Sequence, residues 1–322
     1  LFLALTAMFI TIGQHESFAG AEVCTDCVSR SPQSSLFNYL SQLPIVRDGF
    51  ARVHNAAIYD DDSRQLIMDL RQRNSNTLNV EERAILRAAA QTGTIGCTAG
   101  GSNGTLIRLE DGRDAVITSA HSFIDESGQP RCDLSQVKYL PNVSYHMGGD
   151  YEPSTIRVVE TNGENPLNLE NANRVNGRIH IQNDFLIFIL SENISQDVLP
   201  DGSTRGFMRI ASNIPMRGNS YLIGKNNNFR NGLSHYDSCE SVNNGMSYFH
   251  ICDTTDTSSS SALTQLIDGE MVLTGIHSRA YTSPTAIPRP TTISNGNEGL
   301  SMDMVRRYLS EQGRPVITKN NN

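Results

Sequence analysis

The sequence predicts an all-β domain with a closing helix, preceded by a mainly helical leader. Three observations carry this reading. From Thr92 onward short β-type runs alternate with turn signals, upstream of Thr92 apolar residues recur at helical spacing, and Met302–Glu311 is one further amphipathic helix.

Taken in order, residues 1–12 are almost wholly apolar but too short for a membrane span, and Ser17-Phe18-Ala19 reads as a small-x-small cleavage site. Residues 1–19 are therefore expected to be a signal peptide whose start precedes Leu1; the alternative is a buried N-terminal helix. Residues 20–91 read as a helical pro-segment that assists folding or blocks a cleft, or else as a permanent helical appendage. Within it Leu36–Leu40 and Leu66–Leu70 suit short helices, while Asn79–Ala90 has an asparagine cap followed by early acids. Arg83, Arg87 and Ala88-Ala89-Ala90 are candidate cleavage points. The β-type runs are Gly104–Leu109, Asp114–Ser119, Thr155–Glu160, Asp184–Leu190, Tyr221–Ile223 and Met271–His277. Glu110-Asp111-Gly112 and Arg230-Asn231-Gly232 are among the turns between them. The main domain is placed at 92–312 and a disordered tail at 313–322.

The chain has 322 residues and a formal net charge of −8, which argues against a nucleic-acid or anionic-membrane surface. No run beyond the first approaches twenty apolar residues, and no phosphate loop, repeat or metal-ligand cluster is present. We expect no metal, no organic cofactor, no nucleic acid and no membrane insertion of the mature form. The six cysteines suit an oxidising compartment. Cys24 and Cys27 lack the further ligands a zinc site needs, so a local bridge is the modest reading. Asn103, Asn142 and Asn193 open glycosylation sequons by pattern only.

Three segments stand out chemically: Val116-Ile117-Thr118-Ser119-Ala120-His121, Asn183-Asp184-Phe185-Leu186-Ile187, and Cys252-Asp253-Thr254-Thr255-Asp256-Thr257 followed by Ser258–Ser261. A hydroxyl is a poor nucleophile at neutral pH. It needs an imidazole to take its proton and a carboxylate to hold that imidazole in the right tautomer. Each segment alone has an ordinary reading: a structural histidine, a turn aspartate, a solvated serine run. Their conjunction in the order His, Asp, Ser is what carries the signal.

These segments resemble the trypsin and chymotrypsin family. Thr118-Ser119-Ala120-His121 is similar to its Thr-Ala-Ala-His, and Asp184 opens an apolar strand as the family's aspartate does. The serine loop and Thr274-Gly275-Ile276-His277-Ser278 resemble the bacterial glutamyl endopeptidase branch. The resemblance spans about Thr92 to Leu309. It implies two six-stranded antiparallel β-barrels with the site in the cleft between them, and a secreted serine endopeptidase, extracellular or periplasmic, acting as a monomer on protein or peptide substrates.

Superposing Asp253-Thr254 on the family's Asp-Thr puts the nucleophile at Ser259, with Ser258 and Ser260 as alternatives in the run. His121 would be the base, Asp184 its orienting acid, and the N–H groups of Thr257 and Ser259 the oxyanion hole. The loop departs from the family pattern: Thr257 and Ser260 stand where glycines are usual and Ala262 replaces a proline. A β-branched Thr257 resists backbone angles that glycine tolerates, and losing one oxyanion donor costs on the order of 10²–10³ in turnover. Ser260 and Ser261 are expected to add bulk near the substrate. A weakened or inactive, peptide-binding relative is the alternative function. Ser258 replaces the aspartate that meets a freed amino terminus in trypsin-like zymogens, so activation would take another route.

Asp253, six residues before Ser259, has the spacing of a pocket-floor acid for arginine or lysine; it equally suits a loop-fixing acceptor. His277 corresponds to the glutamyl branch's histidine for acidic side chains, and a mutual Asp253–His277 pair is a third option. Thr254 would line the pocket, and Ser278 would support Asp184. The resemblance also implies a Cys239–Cys252 bridge beside the nucleophile loop. Cys97–Cys132 is the second expected pair, because Ser122 replaces the family's cysteine after the histidine.

Overall fold

The computed structural model of the chain describes residues 57–59, 61–142, 157–175, 178–199, 201–225, 234–255, 257–279, 293 and 296–319. The expected signal peptide, Cys24, Cys27 and the expected helix at Leu36–Leu40 lie outside these residues.

The described part of the leader contains β1 (Gln65–Leu66), α1 (Ile67–Gln72) and α2 (Val80–Ala90). Helix α2 starts where the sequence places its cap: Asn79 accepts from the Glu82 N–H at 2.9 Å, and Glu82 accepts from the Asn79 N–H at 2.9 Å. Its buried face is Ile85 with Ala84, Ala88, Ala89 and Ala90, four small side chains that let the helix lie close on the domain. The chain then turns directly into the first barrel, where the Leu106 N–H donates to the Gln91 carbonyl at 2.7 Å.

The N-terminal barrel comprises β2 (Thr92–Cys97), β3 (Gly100–Arg108), β4 (Asp114–Thr118), β5 (Lys138–Pro141) and β6 (Val159–Glu160). After a small hairpin of β7 (Arg174–Val175) and β8 (Arg178–Ile179) comes its last strand, β9 (Leu186–Ile189). The strand order is β6-β5-β2-β3-β4-β9, and a bridge between Thr161 and Leu190 joins the two ends. Ile95, Leu106, Val116, Phe123, Tyr139, Leu186 and Phe188 fill it. Cys97–Cys132 is bonded at its rim.

The C-terminal barrel follows with β10 (Ile210–Ala211), β11 (Arg217–Lys225), β12 (Ser234–Asn243), β13 (Ser247–His250), β14 (Ala262–Ile267), β15 (Glu270–Arg279) and β16 (Asn297–Ser301), then α3 (Met302–Glu311) and β17 (Thr318–Lys319). Six strands run β14-β11-β12-β13-β16-β15, and β15 pairs back onto β14, closing the ring. The fold is thus the all-β double barrel that the sequence predicts, with its closing helix.

Packing and strand pairing cross both expected boundaries. Leader residues Ala57, Tyr59, Ile67, Leu70, Ala84 and Ile85 belong to the same buried cluster as Leu222, Leu263, Leu273 and Ile276, and β1 pairs with β12. Residue 91 therefore marks a change of secondary structure rather than a packing boundary. The stretch expected as a disordered tail carries β17, paired with β10, and Val316 bridges Leu109; a backbone ladder compensates there for a polar sequence.

Candidate active site

His121 sits in a 3-10 turn (Ala120–Ser122) just after β4, and Asp184 follows a 3-10 turn (Ile181–Asn183) just before β9. Strands β4 and β9 are paired, with Thr118 opposite Leu186, so one ladder brings the two polar residues to the same rim. His121 Nδ1 is 2.8 Å from Asp184 Oδ2, and the His121 N–H donates to Asp184 Oδ1 at 2.9 Å. The Ser278 hydroxyl donates to Asp184 Oδ2. Burial by itself would raise the Asp184 carboxyl, but the His121 charge and these hydrogen bonds hold it below the usual carboxylate range. On the other side of the ring, His121 Nε2 is 3.0 Å from Ser259 Oγ. The residues brought together are therefore His121, Asp184, Ser259 and Ser278. Of the serine run, it is Ser259 whose hydroxyl meets the imidazole.

The serine loop owes its shape to side chains. The Ser258 N–H donates to the Thr255 carbonyl at 2.8 Å, while Ser258 Oγ accepts from the Thr255 N–H at 2.9 Å. Where a zymogen-type aspartate would sit, a short hydroxyl closes its own turn. Ser260 is left-handed, with φ 62°, the conformation for which glycine is favoured. Its side chain corrects the expectation of bulk near the substrate: it is fully buried and points into the seam between the barrels. There Ser260 Oγ accepts from the Ser119 N–H at 2.6 Å and lies 3.1 Å from Thr118 Oγ1 and 2.9 Å from Ser102 Oγ. Gly224 leaves room for Ser261, whose hydroxyl would overlap any Cβ at that position.

Asn103 is the site residue that sequence reasoning missed. Its Nδ2 is 3.1 Å from the Thr257 carbonyl, 3.0 Å from the Ser259 carbonyl and 3.0 Å from the Lys225 carbonyl; its Oδ1 accepts from the Lys225 N–H at 2.7 Å. Ser102 Oγ also donates to the Ser259 carbonyl, at 2.7 Å. One carboxamide on β3 thus ties two peptide planes of the nucleophile loop to β11. The only sequence signal at Asn103 was the sequon, which misleads, because the side chain is 2% exposed. Asn142 and Asn193 are likewise engaged, accepting from Ser234 Oγ and from the Asp114 N–H. Of the proposed oxyanion donors, the Ser259 N–H lies on the peptide between the two that Asn103 contacts; the peptide that carries the Thr257 N–H includes Asp256, outside the described residues.

Asp253 and His277 do not meet. Asp253 is fully buried and its Oδ1 accepts from the Tyr59 N–H at 2.8 Å, while Oδ2 accepts from the Ser63 N–H at 2.7 Å and the Ser63 hydroxyl at 2.9 Å. Of its three sequence-based roles, the loop-fixing acceptor is the one this geometry matches. Thr254 belongs to the same contact: its N–H donates to the Ala57 carbonyl at 2.7 Å and its hydroxyl accepts from the Ala57 N–H at 3.1 Å. His277 Nδ1 is 3.0 Å from His250 Nε2, and both rings are buried. Burial pushes His277 down to about 3 and lowers His250 as well. Cys239–Cys252 is bonded at the root of the loop. With that bridge formed, the cluster of Cys239, Cys252 and His250 offers no thiolate to a metal.

No family model and no curated protein matches the sequence. The chain is similar to the crystal structure of a thermostable serine protease AL20 from an extremophilic microorganism. Identity is 14%, over 70% of this chain and 98% of that one, with a TM-score of 0.48.

Proposed function

We propose that the chain is an exported serine endopeptidase that hydrolyses peptide bonds through an acyl-enzyme intermediate. The observation that carries this reading is the continuous line from Ser278 through Asp184 and His121 to Ser259, with contacts of 2.8 and 3.0 Å on the two ring nitrogens. Ser259 Oγ attacks the carbonyl carbon as its proton passes to His121 Nε2, and the carbonyl π electrons become an oxyanion. Collapse breaks the C–N bond, and His121 returns the proton to the departing amine. Water repeats the sequence in reverse roles to free the acid and restore Ser259. Asp184 stays ionised throughout; it fixes the tautomer and stabilises the imidazolium. The N–H groups of Ser259 and Thr257 are the proposed oxyanion donors.

Protein or peptide chains are the proposed substrates, and the molecule is proposed to act as a monomer. Two bonded cysteine pairs support an oxidising compartment, and among the described residues no helix is long and apolar enough to cross a membrane. A second reading, a peptide-binding relative that does not cut, is favoured by Thr257 in the place of glycine.

A serine-directed fluorophosphonate separates the two. Starting at Gly20, the chain should become labelled stoichiometrically, and Ser259→Ala should abolish the label. A folded wild-type chain that never labels would overturn the peptidase reading.

A further inference from the structure

The segment seated against the nucleophile loop comes from the leader. Ala57, Tyr59 and Ser63 present three backbone N–H groups, one carbonyl and one hydroxyl to it. All of them are met by Asp253 and Thr254 at 2.7–3.1 Å. Asp237 on β12 completes the joint: it accepts from the Asp253 N–H at 2.7 Å, and its Oδ1 lies 2.8 Å from Ser63 Oγ, whose single proton is shared between the two carboxylates. Ala57 and Tyr59 are 0% and 1% exposed, so that end of the joint is part of the interior, while Ser63 closes it at the surface. Beyond it the leader continues without a break into β1 on β12 and the buried faces of α1 and α2.

Both carboxylate oxygens of Asp253 are consumed in this joint. An uncompensated buried carboxylate is costly, and withdrawing the leader would strip Asp253 of its Tyr59 and Ser63 donors while leaving Asp237 beside it with only the Asp253 and Ser238 N–H groups. The loop from Asp253 to Ser259 would have to rearrange to hydrate them.

From this joint, and resting on the peptidase reading above, we infer that residues 57–59 and 61–63 form a retained strap: Asp253 is a positioning residue that anchors them, and the working enzyme keeps its leader from Ala57 onward. Any maturation cut falls before Ala57. A further consequence follows for specificity, because a carboxylate already holding three donors is not presented to an arginine or lysine of the substrate.

The test uses the full chain and three readouts. Under limited proteolysis, the fluorophosphonate-labelled species should begin at or before Ala57 by intact mass; a labelled species that begins after Ser63 and reacts as fast as the full chain overturns the proposal. Asp253→Asn and Asp253→Ala should slow labelling about 10-fold and 100-fold respectively. Their kcat/KM ratio for arginine or lysine over other residues at the cleavage position should be unchanged. A selective loss of 100-fold or more toward basic residues would make Asp253 the pocket acid instead. Amide hydrogen exchange reads the strap independently of activity, so it still decides if nothing is labelled and the peptidase reading fails. The Tyr59, Ser63 and Thr254 amides should be protected in the wild type and exchange at least 10-fold faster in Asp253→Ala, whereas equal exchange overturns the strap.

Discussion

The two barrels hold their shares of the candidate triad by opposite means. In the N-terminal barrel, His121 and Asp184 flank apolar strands that pair directly, so the hydrophobic register of β4 on β9 aligns them. In the C-terminal barrel, Ser259 rides on Thr254–Ser261, a stretch without one apolar side chain. Hydrogen bonds from β3 and from the leader hold it, reaching across more than 150 positions of sequence for Asn103 and more than 190 for Tyr59 and Ala57. Register is a collective property of many side chains and resists single changes. A loop held by a few polar contacts fails when one donor is removed, since the buried partner then bears its full desolvation cost.

The largest effect should come from breaking the register-aligned half at its charge. Asp184→Asn preserves the shape but lets the amide select the wrong imidazole tautomer, and turnover should fall about 10⁴-fold. Steady-state kinetics on a peptide substrate would measure this, with circular dichroism showing the fold intact. A loss of under 10-fold would contradict the assigned role.

The polar-held half is broken most directly at Asn103. Removing its three carbonyl contacts frees two peptide planes beside Ser259, so Asn103→Ala should lower kcat about 10²–10³-fold, the cost of disturbing an oxyanion donor. Asn103→Asp keeps the size but loses the donors and should be at least as damaging. If Asn103→Asp retained full turnover, the contacts would not be setting the loop.

This contrast also explains what the sequence disclosed. Strands β3, β4, β9, β11 and β15 and helix α2 with its cap follow from periodicity and capping chemistry, whereas the double barrel, the cysteine pairs and the residues that meet at His121 were legible through the resemblance of short ordered motifs to a known family. The seam was illegible because its members have no local signature. Asn103 reads as a sequon, Ser260 as an intrusive substitute for glycine, and Asp253 as either a pocket floor or a loop-fixing acceptor until Tyr59 and Ser63 are seen to face it. Each is a polar side chain whose partner lies far away in sequence, and burial rather than type decides its role. The packing of α2 was equally hidden, because an alanine-rich face suits a detachable helix as well as a fixed one.

Acid should loosen the C-terminal barrel through the His250–His277 pair. His277 is depressed to about 3, chiefly by burial and further by the nearby His121, while an unfolded histidine takes a proton near 6.5. As pH falls from about 6.5 toward 3, the unfolded chain gains protons that the folded pair refuses, so stability is complete above 6.5 and declines below it. The Asp184 effect has the same sign but sets in only as pH falls through the usual carboxylate range. Thermal melts from pH 7.5 to 4.5 should show Tm falling, and His250→Gln should flatten that slope. A wild-type Tm that rises with acid would contradict the neutral pair.

The smallest effect sharpens the comparison at a single hydroxyl. Ser260 occupies a left-handed conformation that costs a residue with a side chain roughly 1–2 kcal/mol, and it accepts from the Ser119 N–H, two residues before His121. Ser260→Ala keeps the strain and orphans that buried N–H, so it should lose about 1–3 kcal/mol by denaturant unfolding. Ser260→Gly orphans the same N–H but relieves the backbone, so it should lose about 1 kcal/mol less than the alanine variant. That ordering separates the hydroxyl's contribution from the backbone's. Were alanine the more stable of the two, the φ of 62° would carry no cost and the hydroxyl alone would account for serine at this position.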